Sequence, residues 1–403
     1  MTANRDRSVV FVTTADASTT PHAEWIPWAL ERAGWRVTAV TPAGSGSLLR
    51  RVLGAHWNCR TLPFGRSRNR LLAEGALLFE LLRARFGSDK VVYLHSQGLG
   101  WRASLVFLGP LFGKRLVYHN PDYYDPIAYP IRDALEGLLA RKCDLVISHE
   151  FHRGYIMRAH CRLRCPVLIS PPNLSAGWPI PPRSRERRRE MSGGCEDAFI
   201  LRLHGGFSPR RMVPQLLEAL SLLPRRVRLV MTGDSSGRPG PELARLIHRL
   251  DIADRVVLLP RLDYGGMLEY TASSDAGVLL YANNNLGNFF QAPGRLTEYL
   301  ACGVPVVAPR FTGLENLVLR YGIGRCAEPG NVRDLAAEIL GLETDVRSGR
   351  LSPATIRTRF ETHFAFDHWA PQVTAAFERA LESGCGAGQA PPPEYWFPQP
   401  AHE

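Results

Sequence analysis

Two arginines and one glutamate carry the most chemistry in this sequence: Arg210 and Arg211 after a Gly-Gly turn, and Glu298 inside the run Gln291-Ala-Pro-Gly-Arg-Leu-Thr-Glu-Tyr-Leu-Ala-Cys-Gly. Guanidinium groups neutralise phosphate oxygens, and a carboxylate accepts two hydroxyl hydrogen bonds at once, as dinucleotide folds use it on a ribose. A helix start must place the acid. Pro293 has its φ preset for a first turn, and Leu296, Tyr299 and Leu300 recur at i, i+3 and i+4. Gly303 and Pro305 then end the helix, and a short strand over Val304 to Ala308 follows. The amides near Ala292 to Gly294 and the positive end of the helix dipole suit a diphosphate, with Gly294 allowing close approach. The alternative is a plain amphipathic helix with Glu298 on its wet face.

Upstream, Phe199-Ile-Leu-Arg-Leu-His-Gly-Gly-Phe-Ser-Pro-Arg-Arg-Met reads as a strand, a turn at Gly205-Gly206 and a helix with Ser208 as N-cap and Pro209 first. Arg210 and Arg211 then fall in the first turn, where the dipole disfavours cations unless an anion is present; a solvated surface pair is the alternative. Strand Val227 to Thr232, helix Pro241 to Leu250, strand Val256 to Leu259, helix Gly266 to Ala272 and strand Ala276 to Tyr281 follow. Such alternation means a parallel sheet, with ligands beyond the carboxyl ends of its strands.

In order and spacing, five segments resemble the C-terminal half of family 4 glycosyltransferases, retaining enzymes of the GT-B fold. They are His204-Gly-Gly-Phe-Ser-Pro-Arg-Arg, Arg228-Leu-Val-Met-Thr-Gly-Asp, Ser274-Asp-Ala-Gly-Val, the run from Pro293 to Ala308, and Gly322-Ile-Gly-Arg-Cys-Ala-Glu-Pro. The resemblance implies an α/β chain of two Rossmann-like domains facing a cleft, with a C-terminal helix crossing back to the first. It also implies donor-binding roles for Gly205, Gly206, Arg210, Arg211, Arg261, Leu262, Pro293, Gly294, Arg295 and Glu298. Arg211 would hold the diphosphate, Glu298 the ribose, and the Leu259 to Leu262 loop the base. Many relatives have a second Glu eight residues before the ribose acid; here that position is Phe290.

The first half begins βαβ, with apolar runs over 8–14 and 37–41 around a helix over 23–33. Its first loop, Thr13 to His22, lacks the three-glycine dinucleotide fingerprint. Two later strands end in histidines, His95 and His119. The resemblance places His119 against the donor sugar, with Asp122 near a common acid, and makes His22, His95 and Tyr123 acceptor-side candidates. Each histidine could equally be a loop residue, and Tyr123, Tyr124 and Tyr129 could pack the loop instead of stacking on an acceptor. The expected boundaries are 1–177 for the first domain, 178–196 for a basic linker, 197–363 for the second domain, 364–383 for the crossover helix and 384–403 for a loose tail.

With 403 residues, 45% of them hydrophobic, the chain can bury two cores. A net charge of +11 suits anionic nucleotide sugars and acidic membranes equally. A nucleic-acid partner is not expected, because no binding module or basic-aromatic stripe appears. The eight cysteines are scattered without zinc-ligand spacing and read as reduced thiols. No apolar run reaches membrane-spanning length and the polar start is not a signal peptide, so a cytoplasmic location is expected, with peripheral contact at the inner membrane face left open.

The activity implied is transfer of a sugar from a nucleoside diphosphate to a glycan, lipid-linked or small-molecule acceptor, with retention. Without an Asp-x-Asp cluster, Arg211 and backbone amides would stabilise the leaving phosphate instead of a metal, and no cofactor is expected beyond the sugar nucleotide as co-substrate. Cell-envelope glycan assembly is the expected setting, with a soluble natural-product acceptor as the alternative. A nucleotide-sugar epimerase, a non-catalytic nucleotide-sugar-binding partner and, for want of a glycine fingerprint, more distantly a dehydrogenase are the rivals.

Overall fold

The computed structural model describes residues 7–16, 21–42, 47–62, 70–96, 98–122, 129–204, 212–232 and 240–383. It divides into two units, one of residues 1–172 with 366–403, the other of residues 173–365.

In the first unit, strands β1 (Ser8–Thr13), β2 (Arg36–Pro42), β3 (Asn58–Leu62), β4 (Val91–His95), β5 (Arg115–Asn120), β6 (Leu145–Ser148) and β7 (Val167–Ile169) form one parallel sheet. Its order is β3-β2-β1-β4-β5-β6-β7, so the winding reverses between β1 and β4. That reversal opens a crevice beyond the carboxyl ends of these strands, the usual ligand position in doubly wound sheets. Helices cover both faces, which is why β1 and β4 are continuous apolar runs without an in–out alternation. The helix Ala370–Ser383 belongs to this unit: Phe377 packs edge-on against Trp35 and Tyr93, and Phe366 stacks on Trp25. The helix expected over 364–383 is shorter than its span. A π turn at Phe360–Phe364 and a 3-10 turn at Phe366–His368 flank Ala365, whose extended backbone, ψ 137°, interrupts the helix where the chain changes units.

The second unit holds β8 (Phe199–Leu203), β9 (Val227–Thr232), β10 (Val256–Leu259), β11 (Ala276–Val278), β12 (Val306–Pro309) and β13 (Gly324–Ala327). They are also parallel, in the order β10-β9-β8-β11-β12-β13, with the reversal between β8 and β11. Residues 183–192, expected within a solvated linker, lie in this unit. Ser184 caps a helix, Arg185–Ser192, whose Met191 is fully buried beside Ile200 and Tyr270. Arg183 and Arg188 both reach Asp275, and Arg187 reaches Glu190 and Glu269. The charge run is therefore one side of an ion-pair network, which local composition could not distinguish from a solvated segment.

Candidate functional site

At the reversal of the second sheet, β8 ends at Leu203 and His204 follows, while the helix Gly294–Ala301 begins after Pro293 as its N-cap. That helix matches its sequence: Leu296, Tyr299 and Leu300 are buried, and Gly303 at φ +72° closes it. Glu298 lies in its second turn, with its side chain 13% exposed. Its Oε1 accepts from the Tyr264 hydroxyl at 2.9 Å, and its Oε2 lies 3.1 Å from His204 Nε2. Burial, then the neighbouring Glu298 charge, pushes the Tyr264 phenol well above its ordinary range, so it stays a donor to the carboxylate. The acid is thus oriented by two partners from different elements, as a binding group must be if its geometry is to be set before a ligand arrives.

Tyr299 fixes the histidine. Its ring stacks on His204 at 4.5 Å, and its hydroxyl donates to the Arg202 carbonyl at 2.7 Å while accepting from the His204 amide at 3.3 Å. The ring fits because residue 277 of β11 is glycine: a Cβ there would stand 2.5 Å from the Tyr299 ring. Gly277→Ala should therefore displace Tyr299 and lower stability by about 1–3 kcal/mol, as over-packed cores do. Urea unfolding checks this; a midpoint equal to the parent's would show that the ring has room to move.

Arg295 donates to the His204 carbonyl at 2.7 Å and to the Tyr281 hydroxyl, with its guanidinium 5.1 Å from the Tyr281 ring centre. Within the protein it ties the end of β8 to the loop after β11. Arg261 is exposed, Leu262 packs against the cluster of Ile200, Val230 and Leu259, and Asp263 caps the helix Tyr264–Ala272 that delivers Tyr264. Pro293 and Gly294 form the helix start as expected. Gly205, Gly206, Arg210 and Arg211 lie outside the described residues. Ser208 and Pro209, the expected helix start, also lie outside them; the described helix begins at Val213, behind Met212 at φ +52°, with Pro214 in its first turn, where a missing N–H costs nothing. Phe290 ends the short helix Leu286–Phe289 and meets Phe289 edge-on at 5.0 Å, which packs on Phe311 at 5.2 Å.

In the first unit, the carboxyl ends of β4, β5 and β6 bring His95, His119 and His149 together, with ring centres 4.7 Å apart from His95 to His119 and from His119 to His149. His22 meets His149 edge-on at 5.9 Å. Thr13 Oγ1 lies 3.0 Å from His95 Nδ1 and the Tyr93 hydroxyl 2.7 Å from His119 Nδ1, while Nε2 of both rings is buried without a hydrogen-bond partner among the described residues. His149, Tyr93 and Thr13 are additions to the expected set. Val146-Ile-Ser-His repeats the strand-then-histidine pattern of β4 and β5, and that was the available signal. Asp122 stands on an exposed turn, 3.8 Å from Arg153, and Tyr123 lies outside the described residues.

One nitrogen from each of these three imidazoles falls within 4.8 Å of the others. Around one tetrahedral zinc such nitrogens stand about 3.3 Å apart, so a shared ion would require the rings to close up. Burial, and secondarily the neighbouring histidines, instead hold all three neutral: His95 is lowered to about 3, and His119 and His149 well below their ordinary value. A folded pKa below the unfolded one means stability that is present above about pH 6.5 and lost as pH falls, because the unfolded chain binds protons first. Two buried carboxyls, Glu24 and Glu136, are raised to about 7 and act oppositely, contributing stability below about pH 4.5 that is lost as pH rises through 7. His149→Asn should therefore lose less stability than the parent between pH 6.5 and 5, by on the order of 1–2 kcal/mol. Urea titrations followed by the fluorescence of Trp25 and Trp35 measure it; parallel pH curves would contradict a neutral His149.

Residues 199–345 match the family described as glycosyl transferases group 1. The second unit carries a domain of that family. Among curated proteins, a D-inositol 3-phosphate glycosyltransferase of Xylanimonas cellulosilytica is 30% identical over 195 residues, 46% of this chain and 45% of the relative. A GDP-mannose-dependent alpha-(1-6)-phosphatidylinositol monomannoside mannosyltransferase of Mycolicibacterium smegmatis is 28% identical over 205 residues, 50% of this chain and 52% of the relative. The chain thus spans about half the length of the curated relatives it matches. Across 94% of this chain, the fold is that of a sucrose-phosphate synthase from Thermosynechococcus elongatus, all of which is covered, with a TM-score of 0.71 at 18% identity. The fold of each unit is thus that of a GT-B protein, as the motif series implied.

Proposed function

We propose that the chain transfers a glycosyl group from a nucleoside-diphosphate sugar to an acceptor hydroxyl, with retention and without a metal. The observation that carries this is the fixed carboxylate: Glu298, held by Tyr264 and His204 at the switch point of a group 1 glycosyl transferase domain. In this reading Glu298 accepts from the ribose hydroxyls, and Arg211 with the amides near Gly294 stabilises the diphosphate. The Leu259 to Leu262 loop borders the base. The acceptor hydroxyl attacks the anomeric carbon on the face the phosphate leaves; the carbon–oxygen bond to phosphate breaks, and a phosphate oxygen takes the hydroxyl proton. Donor-side binding by Arg210 and Arg295, sugar contact by His119, and acceptor-side roles for His22, His95, Asp122 and Tyr123 belong to the same proposal. A relative named for phosphatidylinositol monomannoside supports an acceptor in cell-envelope glycan assembly, and one named for D-inositol 3-phosphate supports the soluble small-molecule alternative. Screening nucleotide sugars with candidate acceptors by mass spectrometry tests it: a glycosylated product with conserved anomeric configuration is expected. Interconversion of the donor without an acceptor would point to an epimerase instead.

Phe290 favours a second reading. An aromatic pair with Phe289 occupies the position where many family members place a sugar-binding Glu, as suits a protein that binds the nucleotide without turning it over. Calorimetric binding of a nucleoside diphosphate with no product across the same panel would select that reading.

A further inference from the structure

The helix Arg70–Phe86 of the first unit is apolar on both of its sides. Ala73, Leu77, Leu81 and Ala84 face the core. On the opposite side Leu78, Phe79, Leu82 and Phe86 stand exposed, Phe79 by 62% and Phe86 by 63%, with Leu71 and Leu72 exposed at the start of the helix. A solvated helix would carry charged residues there. The patch extends to Phe112, 70% exposed and 6.0 Å from Phe86, and the neighbouring helix Leu99–Phe107 carries Leu105, 69% exposed. Contiguous apolar surface rimmed by polar groups marks an interaction site.

The rim is basic beside Phe86 and Phe112, where Arg85, Lys90 and Lys114 stand, and in sequence residues 60–115 contain ten Arg or Lys against three Asp or Glu. All three acids are occupied by cations: Glu74 by Arg102, Glu80 by Arg60 and Arg83, and Asp89 by Arg36. Beside Phe86 and Phe112 lies an open basin of ≈ 420 Å³, lined by Arg85, Lys90 and Lys114. Lys114 is anchored to the Gly87 and Asp89 carbonyls, and Arg85 to those of Val106 and Pro110, so the cations are held at the edge of the apolar face.

We propose that this face docks on an anionic phospholipid surface, with Phe79, Phe86 and Phe112 entering the acyl boundary and Arg85, Lys90 and Lys114 meeting phosphate headgroups. Aromatic residues beside lysines and arginines are what such a boundary selects, and anionic lipid adds an attraction that salt screens. A second copy of the chain is the poorer occupant, because its own basic rim would be brought against this one. The inference is independent of the glycosyl-transfer reading, since binding to lipid requires no turnover.

Co-sedimentation of the full chain with vesicles tests it. Phosphatidylcholine vesicles containing a third phosphatidylglycerol should pellet the protein, pure phosphatidylcholine vesicles should leave it in solution, and 0.5 M salt should weaken the binding at least tenfold. The double variant Phe79→Glu, Phe86→Glu and, separately, Lys90→Glu should each bind at least tenfold more weakly while keeping the parent's thermal midpoint, because all three side chains are exposed. Equal binding to both vesicle types, or undiminished binding by the double variant, overturns the proposal. So does a parent dimer in sedimentation velocity that the double variant dissolves, which would assign the face to a second copy.

Discussion

Arg211→Ala should lower turnover of the nucleotide sugar by about 10²–10³-fold, the range seen when one preorganised donor to a developing oxyanion is removed. The reasoning rests on where charge appears. Breaking the glycosidic bond places negative charge on the leaving diphosphate, and a guanidinium in the segment between β8 and the helix Val213–Leu222 is the proposed counter-charge. An interaction stronger in the transition state than in the ground state appears in kcat, so donor KM should move much less than kcat. Arg211→Lys should recover only part of the rate, because an ammonium cannot make the paired contacts of a planar guanidinium. Steady-state kinetics with the donor found by screening provides the measurement. An alanine variant at full turnover removes Arg211 from the mechanism.

Glu298→Ala should act on the other parameter. Hydrogen bonds to an ionised group contribute about 1.5–3 kcal/mol, so loss of the ribose grip should raise donor KM roughly 10–150-fold. Alanine also leaves the Tyr264 hydroxyl and His204 Nε2 without their acceptor, and a local loss of stability would confuse the result. Glu298→Gln separates the two effects: it keeps an oxygen for Tyr264 while removing the charge, so its unfolding midpoint should stay near the parent's and its donor KM should still rise. A KM within threefold of the parent in both variants would remove Glu298 from the donor site.

Topology was legible because each signal for it is local. Apolar strands alternating with amphipathic helices imply two parallel sheets, and Pro293, Gly303 and Pro305 delimit the helix Gly294–Ala301 almost to the residue. The partners of Glu298 were not legible. Tyr264 is 34 residues away and His204 is 94, and no periodicity relates positions joined only by sheet order. Ser208-Pro209, read as a helix start, lies outside the described residues, and the described helix opens at Val213 with Pro214 in its first turn. His149 could have been found from the repeated strand ending, whereas the lack of hydrogen-bond partners on His95 and His119 Nε2 among the described residues depends on tertiary packing. The helix Arg70–Phe86 is apolar on both sides, so periodicity could not say which of them meets water.

The first unit is assembled from two stretches of chain separated by the whole of the second, and its Trp25, Trp35 and Tyr93 are covered by Phe366 and Phe377 from the later stretch. A chain synthesised only as far as residue 365 holds the whole second unit but lacks Phe366 and Phe377, so this aromatic surface is without their cover. The second unit, continuous in sequence, is free to reach its native packing first. Hydrophobic surface left uncovered in that way is what makes incomplete chains prone to aggregate and to need chaperones.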